Sequence, residues 1–226
     1  MKDNTKTILK NHFSATHIAY MALFTALAYV VTFLEFPIFP AASYLKFDFA
    51  NVFFMIEGFI FGPVEAIISI IIKELLCFTK TSSGGAGEIA NFLMSTAYII
   101  IPSIAYRFKK GRWWVALYLV FGCVLQIAVS LPANRYINFV FFMGDNAAKM
   151  FAGAWPYVLG FNAIKSVAVS VVVFIIYKPL SRFIKMTREK LTPKRKKIVV
   201  EETDVQAEES DKGKVDTQTQ KNDSNS

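Results

Sequence analysis

PYVLGFNAIKSVAVSVVVFIIYKPL, residues 156–180, places Lys165 deep inside an apolar run that meets no further charge until Lys178. A lysine in a segment of lipid-spanning length is costly unless it faces protein, water or a ligand. Asn162 stands three positions earlier, and residues three apart share one face of a helix. An amide and an ammonium can therefore point at one object that carries hydrogen-bond acceptors. The stretch reads as a membrane helix with a polar ligand site built into it.

The rest of the chain agrees with a bilayer setting. Of 226 residues, 54% are hydrophobic and 22 are Phe, beyond the roughly even balance of soluble domains. The two cysteines, Cys77 and Cys123, sit in apolar segments and read as buried small hydrophobes rather than a disulfide. Both histidines, His12 and His17, lie near the N-terminus, so a metal site has almost no raw material and none is expected.

Six transmembrane spans are predicted: Thr16–Phe36, Asp48–Phe61, Pro63–Phe78, Glu88–Tyr106, Trp113–Asn138 and Gly153–Ile176. The second and third are short for about 30 Å of hydrocarbon, which takes about 20 residues. The first is too long for the core of a signal peptide and is read as a retained span. The expected fold is all-α: a compact six-helix membrane bundle over residues 16–190, after a short segment at 1–15. Residues 191–226 are polar and largely charged, a composition that favours a disordered tail.

The net charge of +8 is concentrated beside the apolar runs: four basic residues in Arg107–Arg112 and nine between Lys178 and Lys197. This pattern fits membrane orientation and anionic headgroups, not nucleic acid. With six spans, both termini and the basic turn fall on one side, so the termini are expected in the cytoplasm. The loops around Lys46, Lys80 and Asp145 are expected outside.

Polar residues gather in the outer half. Leu45, Lys46 and Asp48 belong to the first outer loop, where Asp48 also suits a helix cap. Glu88 and Asn91 open the fourth span, and Asn134 follows Pro132 near the outer end of the fifth, where a proline frees backbone groups. Phe92, Tyr98, Tyr136, Trp155, Tyr157 and Phe161 lie near these positions in sequence. A planar aromatic molecule with a polar edge suits such a site. Lys73 and Glu74 are neighbours and so should not share a face; they are expected to snorkel, with no role. No nucleophile–base pair or H-E-x-x-H is present, and catalysis fits poorly. On the first span, Ala22 and Ala26 are one turn apart and form a small-residue face for close helix packing or for docking another membrane protein.

Several stretches together resemble the substrate-binding S component of energy-coupling factor (ECF) vitamin transporters, of the riboflavin type. They are FPI at Phe36, YLKFDFANV at Tyr44–Val52, FGP at Phe61–Pro63, GEIANFL at Gly87–Leu93, the Asn134 region and FNAIKS at Phe161–Ser166. The resemblance covers nearly all of the apolar chain. It implies a subunit that binds riboflavin from outside and works with a membrane scaffold protein and two ATP-hydrolysing subunits. Asn134, Asn162 and Lys165 would contact the isoalloxazine ring, and the loop of Leu45, Lys46 and Asp48 would close the site. Ala22 and Ala26 would pack on the scaffold protein. Riboflavin would be cargo, with no resident cofactor. The chain departs from the family after the fifth-span asparagine, where a proline and a tyrosine give way to Asn138-Phe139-Val140-Phe141-Phe142. The rival readings are another vitamin or FMN, whose phosphate would use Lys46, Lys80, Arg135 or Lys149, and a membrane-embedded enzyme or accessory protein.

Overall fold

The structure, a computed structural model, describes residues 15–191 except Ser82, with backbone alone at Thr16 and over residues 180–191. The expected segments before residue 15 and beyond Leu191 lie outside the described residues. The chain is mostly helical. Helix α1, Ala15–Val31, continues as a 3-10 turn to Leu34. A two-residue antiparallel pairing follows, with β1 (Phe36–Pro37) against β2 (Lys46–Phe47). Then come α2 (Ala50–Ile60), α3 (Pro63–Phe78), α4 (Ala86–Phe108) and α5 (Arg112–Ala133). A π-helical turn at Asn134–Asn138 leads into the short α6 (Phe139–Met143), and α7 runs over Ala147–Leu191.

Three helical stretches among the described residues are long and apolar enough to cross a membrane: His17–Leu34, Ala86–Phe108 and Arg112–Pro179. The last cannot be one straight rod. The Cys123 and Ser170 side chains lie 3.2 Å apart, and Phe139 packs on Phe151. The chain reverses at Gly144, whose φ of +49° is accessible to glycine at little cost.

The shortest of these main helices is also the most enclosed. α2 has 11 residues, about 16 Å of rise, and all but Phe53 are buried. It packs against α1, α3 and α4. Its all-round apolarity, with Phe54, Met55 and Phe59 at 1% exposure or less, suits a central position rather than a lipid-facing one. Glu57, fully buried on α2, accepts a 2.6 Å hydrogen bond from the Ser69 hydroxyl of α3. α2 and α3 join through Gly62 at φ +123°, with Pro63 at the start of α3. The Arg107 guanidinium of α4 donates to the Phe61 carbonyl there at 2.8 Å.

α4 and α5 approach closely because Gly122 has no side chain: a Cβ would lie 2.5 Å from the Tyr98 carbonyl oxygen. Tyr98 in turn shares a hydrogen bond with Ser170 at 2.7 Å, tying α4 to α7. Ala22 and Ala26 are exposed on α1 together with Leu23 and Leu27.

Candidate functional site: a polar cavity at one end of the bundle

A cavity of about 360 Å3 lies where the β1–β2 loop, the start of α4, the π-helical turn and the middle of α7 converge. The loop brings Leu45, Lys46 and Asp48, α4 brings Glu88 and Asn91, the π turn brings Asn134, and α7 brings Asn162 and Lys165. All eight positions singled out from the sequence therefore line the same space.

Asp48 joins two elements. Its Oδ1 accepts the Ala50 N–H at 2.8 Å, satisfying a free donor at the start of α2. Its Oδ2 lies 2.8 Å from the Lys165 Nζ, and both side chains are more than nine-tenths buried. Asp48 is not the N-cap residue, which is Phe49, yet its two oxygens let it hold both the helix start and the Lys165 ammonium. The pair fastens the first loop to α7 across 117 residues of sequence.

The amides divide their hydrogen-bonding capacity. The Asn162 Nδ2 donates to the Val158 carbonyl at 2.9 Å, while its Oδ1 is buried and accepts nothing among the described residues. The Asn134 Nδ2 donates to the Ser130 carbonyl, and its Oδ1 accepts from the Asn138 Nδ2, each at 2.9 Å. The Asn138 Oδ1 is left like that of Asn162. Pro132 lies inside α5 just ahead of this turn. The Phe139 N–H reaches five residues back to the Asn134 carbonyl, a π-type bond of the kind frequent at functional sites. The cavity thus presents ammonium donors beside buried amide acceptors that lack partners. Such acceptors are costly when left unmade, so a ligand with both N–H and C=O groups on one edge would complement them.

The opening is tied by polar contacts. Lys46 pairs with Glu35 at 2.9 Å in an exposed ion pair. The Lys80 Nζ donates to Thr32 Oγ1 at 2.7 Å and sits 4.1 Å from the Phe33 ring centroid. The Ser83 hydroxyl donates to Glu88 at 2.7 Å and accepts the Gly87 N–H at 3.1 Å, holding the start of α4. Tyr44 lines the cavity from the first loop, and burial raises its phenol above the ordinary value, so it stays protonated.

Sequence reasoning missed the α3 wall. Lys73 and Glu74 do not snorkel; both are buried, both line the cavity, and they pair at 3.0 Å. Glu74 also accepts the Asn91 Nδ2 at 2.6 Å. A pattern was available: Lys73, Cys77 and Lys80 recur at i, i+4 and i+7, and all three line the cavity. The expected aromatics are mostly elsewhere. Tyr98 is fully buried in the helix packing, and Tyr136, Trp155 and Tyr157 are exposed. Phe161 lines the site, joined by Tyr44 and Phe142. Of the lysines and arginine considered for a phosphate, Lys46 and Lys80 reach the cavity, while Arg135 and Lys149 are not among its lining residues.

Comparison with known proteins matches this chain to a family. The ECF transporter substrate-specific component family matches residues 16–177. The chain is 27% identical to the riboflavin transporter RibU of Staphylococcus aureus over 170 residues, covering 73% of this chain and 90% of that protein. It is 27% identical to the riboflavin transporter FmnP of Bacillus subtilis over 184 residues, covering 76% and 95%. Identity to RibU of Streptococcus thermophilus is 26% over 176 residues, covering 72% and 82%. Among solved structures, the S component of a bacterial ECF transporter superposes with a TM-score of 0.65 at 26% identity, covering 75% of this chain and 98% of that one. With residues 16–177 matched and the fold shared, this chain is a membrane protein that belongs to the family of substrate-specific components of ECF transporters.

Proposed function

We propose that this chain is the riboflavin-binding subunit of an ATP-driven ECF transporter. It takes up the vitamin in the cavity, from the extracellular side, and passes it on together with a membrane scaffold protein and two ATP-hydrolysing subunits. The observation that carries the reading is the buried Asn162 Oδ1, an acceptor in want of a donor, on the same helix face as the Lys165 ammonium. The pyrimidine edge of an isoalloxazine offers a ring N–H between two carbonyls, which answers an acceptor and a cationic donor together. Phe161, Phe142 and Tyr44 supply aromatic surface for the ring. Lys46 of the first loop and Glu88 and Asn91 at the start of α4 line the same cavity and offer polar groups to a polyhydroxyl chain. The cavity volume falls in the range of small-molecule sites, about 300–1,000 Å3. The names of the curated relatives, riboflavin transporters all, support the same ligand.

The orientation follows from charge. α4 has 23 residues, about 34 Å of rise. The cavity lies at its N-terminal end, and the basic turn of Arg107, Lys109, Lys110 and Arg112 lies at the other. Positive charge stays in the cytoplasm, which puts the cavity outside. In this arrangement the chain crosses six times, α2 and α3 being the short inner crossings, and both termini are cytoplasmic.

Titration of purified protein with riboflavin tests the reading: saturable quenching of flavin fluorescence is expected, and a flat titration would remove riboflavin as the ligand. A separate test concerns α1. Leucine at Ala22 and Ala26 should spare riboflavin binding yet abolish uptake and assembly with the scaffold protein; unchanged assembly would take the exposed alanine face out of docking.

A further inference from the structure

The cavity contains an unusual number of charges for a site open to a neutral vitamin. Four lysines line it, Lys46, Lys73, Lys80 and Lys165, and four carboxylates stand against them, Glu35, Asp48, Glu74 and Glu88, for a formal sum of zero. Three of the lysines are held in ion pairs of 2.8–3.0 Å, with Glu35, Glu74 and Asp48. The inner two pairs are buried, and both line the same cavity. Charges removed from solvent are poorly screened, so the loss of any one inner partner would be felt by a ligand in the cavity.

We infer that the Lys73–Glu74 pair sets the charge class of the ligand, with Glu74 cancelling a lysine that would otherwise make the cavity cationic and receptive to anionic, phosphorylated flavins. The geometry fits this role better than a purely structural one. Glu74 faces the cavity rather than a neighbouring helix core, and its second contact, Asn91, is itself a lining residue. Lys73 and Lys165 line the same cavity, so removing the Glu74 charge would leave these two ammonium groups with Asp48 as their one remaining buried carboxylate partner. The argument rests on the riboflavin reading, and it assigns a determinant of specificity within that site. Glu74 acts through the field in the cavity and through Lys73, not by touching the flavin ring.

The test is the ratio of FMN to riboflavin affinity, measured by fluorescence titration on the purified full-length protein. Glu74→Gln keeps the shape and an acceptor for Asn91 while removing the charge. It should raise the FMN-to-riboflavin affinity ratio at least tenfold. The double variant Lys73→Met with Glu74→Gln restores neutrality and should return the ratio to within about twofold of the parent. Lys73→Met alone makes the cavity anionic and should lower the ratio, and it serves if Glu74→Gln fails to fold. The expected FMN preference of Glu74→Gln should also weaken as salt is raised, a response that a change of shape would not produce. An unchanged ratio in Glu74→Gln, or the same raised ratio in the single and double variants, would overturn the inference. A parent protein that fails to bind riboflavin overturns the underlying reading instead, whatever the variants do.

Discussion

Two buried ion pairs line the cavity, and they differ in what they connect. Lys165–Asp48 joins α7 to the first loop over 117 residues; Lys73–Glu74 joins neighbours on α3. The first closes a large loop of chain and fixes where the β1–β2 segment lies over the site. The second adds little to topology, because its partners are already held together by the backbone. A long-range buried pair is therefore both a structural tie and a ligand group, whereas a local pair is free to serve electrostatics alone.

The comparison can be broken most sharply at Lys165. Lys165→Ala leaves the Asp48 carboxylate buried without its ion-pair partner. The cost of stripping one partner from a buried pair is about 3–5 kcal/mol, seen as a large drop in melting temperature, together with loss of riboflavin binding. Pairing Lys165→Met with Asp48→Asn should recover most of the stability and none of the binding. If stability and binding recover together, the lysine serves the fold and not the ligand.

Lys73→Met should cost less, about 1–3 kcal/mol, because Glu74 keeps its 2.6 Å bond from Asn91 and no distant element is released. A loss as large as that of Lys165→Ala, read by thermal melting, would erase the distinction between the two pairs. Asn162→Leu should separate binding from folding. It removes an acceptor that has no partner among the described residues, so stability should hold or rise while riboflavin affinity falls about tenfold, the worth of one hydrogen bond. Least affected should be Lys46→Ala. Its pair joins an exposed lysine to a half-buried Glu35 near the surface, so the expected change in stability is below about 1 kcal/mol and fades with salt.

The same contrast explains what could be read from the sequence. Lys165 stood out because a charge in a long apolar run is conspicuous, and Asn162 shares its face by simple helical spacing. Asp48 is legible as part of the loop, but its union with Lys165 is a tertiary fact. Lys73 and Glu74 carry no such signal, because adjacent helical residues point about 100° apart. That rule concerns Cβ directions; a lysine stem is long enough to carry its ammonium back onto the neighbouring carboxylate, so both end on one wall. Hydropathy located α3 at Pro63–Phe78 as read, whereas the last span, read as Gly153–Ile176, belongs to a helix over Ala147–Leu191. The central burial of α2 was not legible, because a helix apolar on every side has no periodic signal to say which neighbours surround it. Tyr98, Tyr136, Trp155 and Tyr157 show the opposite limit: closeness along the chain did not bring their rings to the cavity, since helix rotation is set by packing. The π turn after Pro132 had a local cue, yet its consequence, Asn134 and Asn138 bonded to each other beside the site, depends on backbone register that composition does not encode.

The most direct test of the central claim is the absorption spectrum of the protein purified from cells supplied with riboflavin. The account predicts a flavin spectrum that survives washing and is released on denaturation as riboflavin, in a ratio near one per chain, and absent from Lys165→Ala. A colourless parent protein that also leaves the fluorescence of added riboflavin unquenched would contradict it.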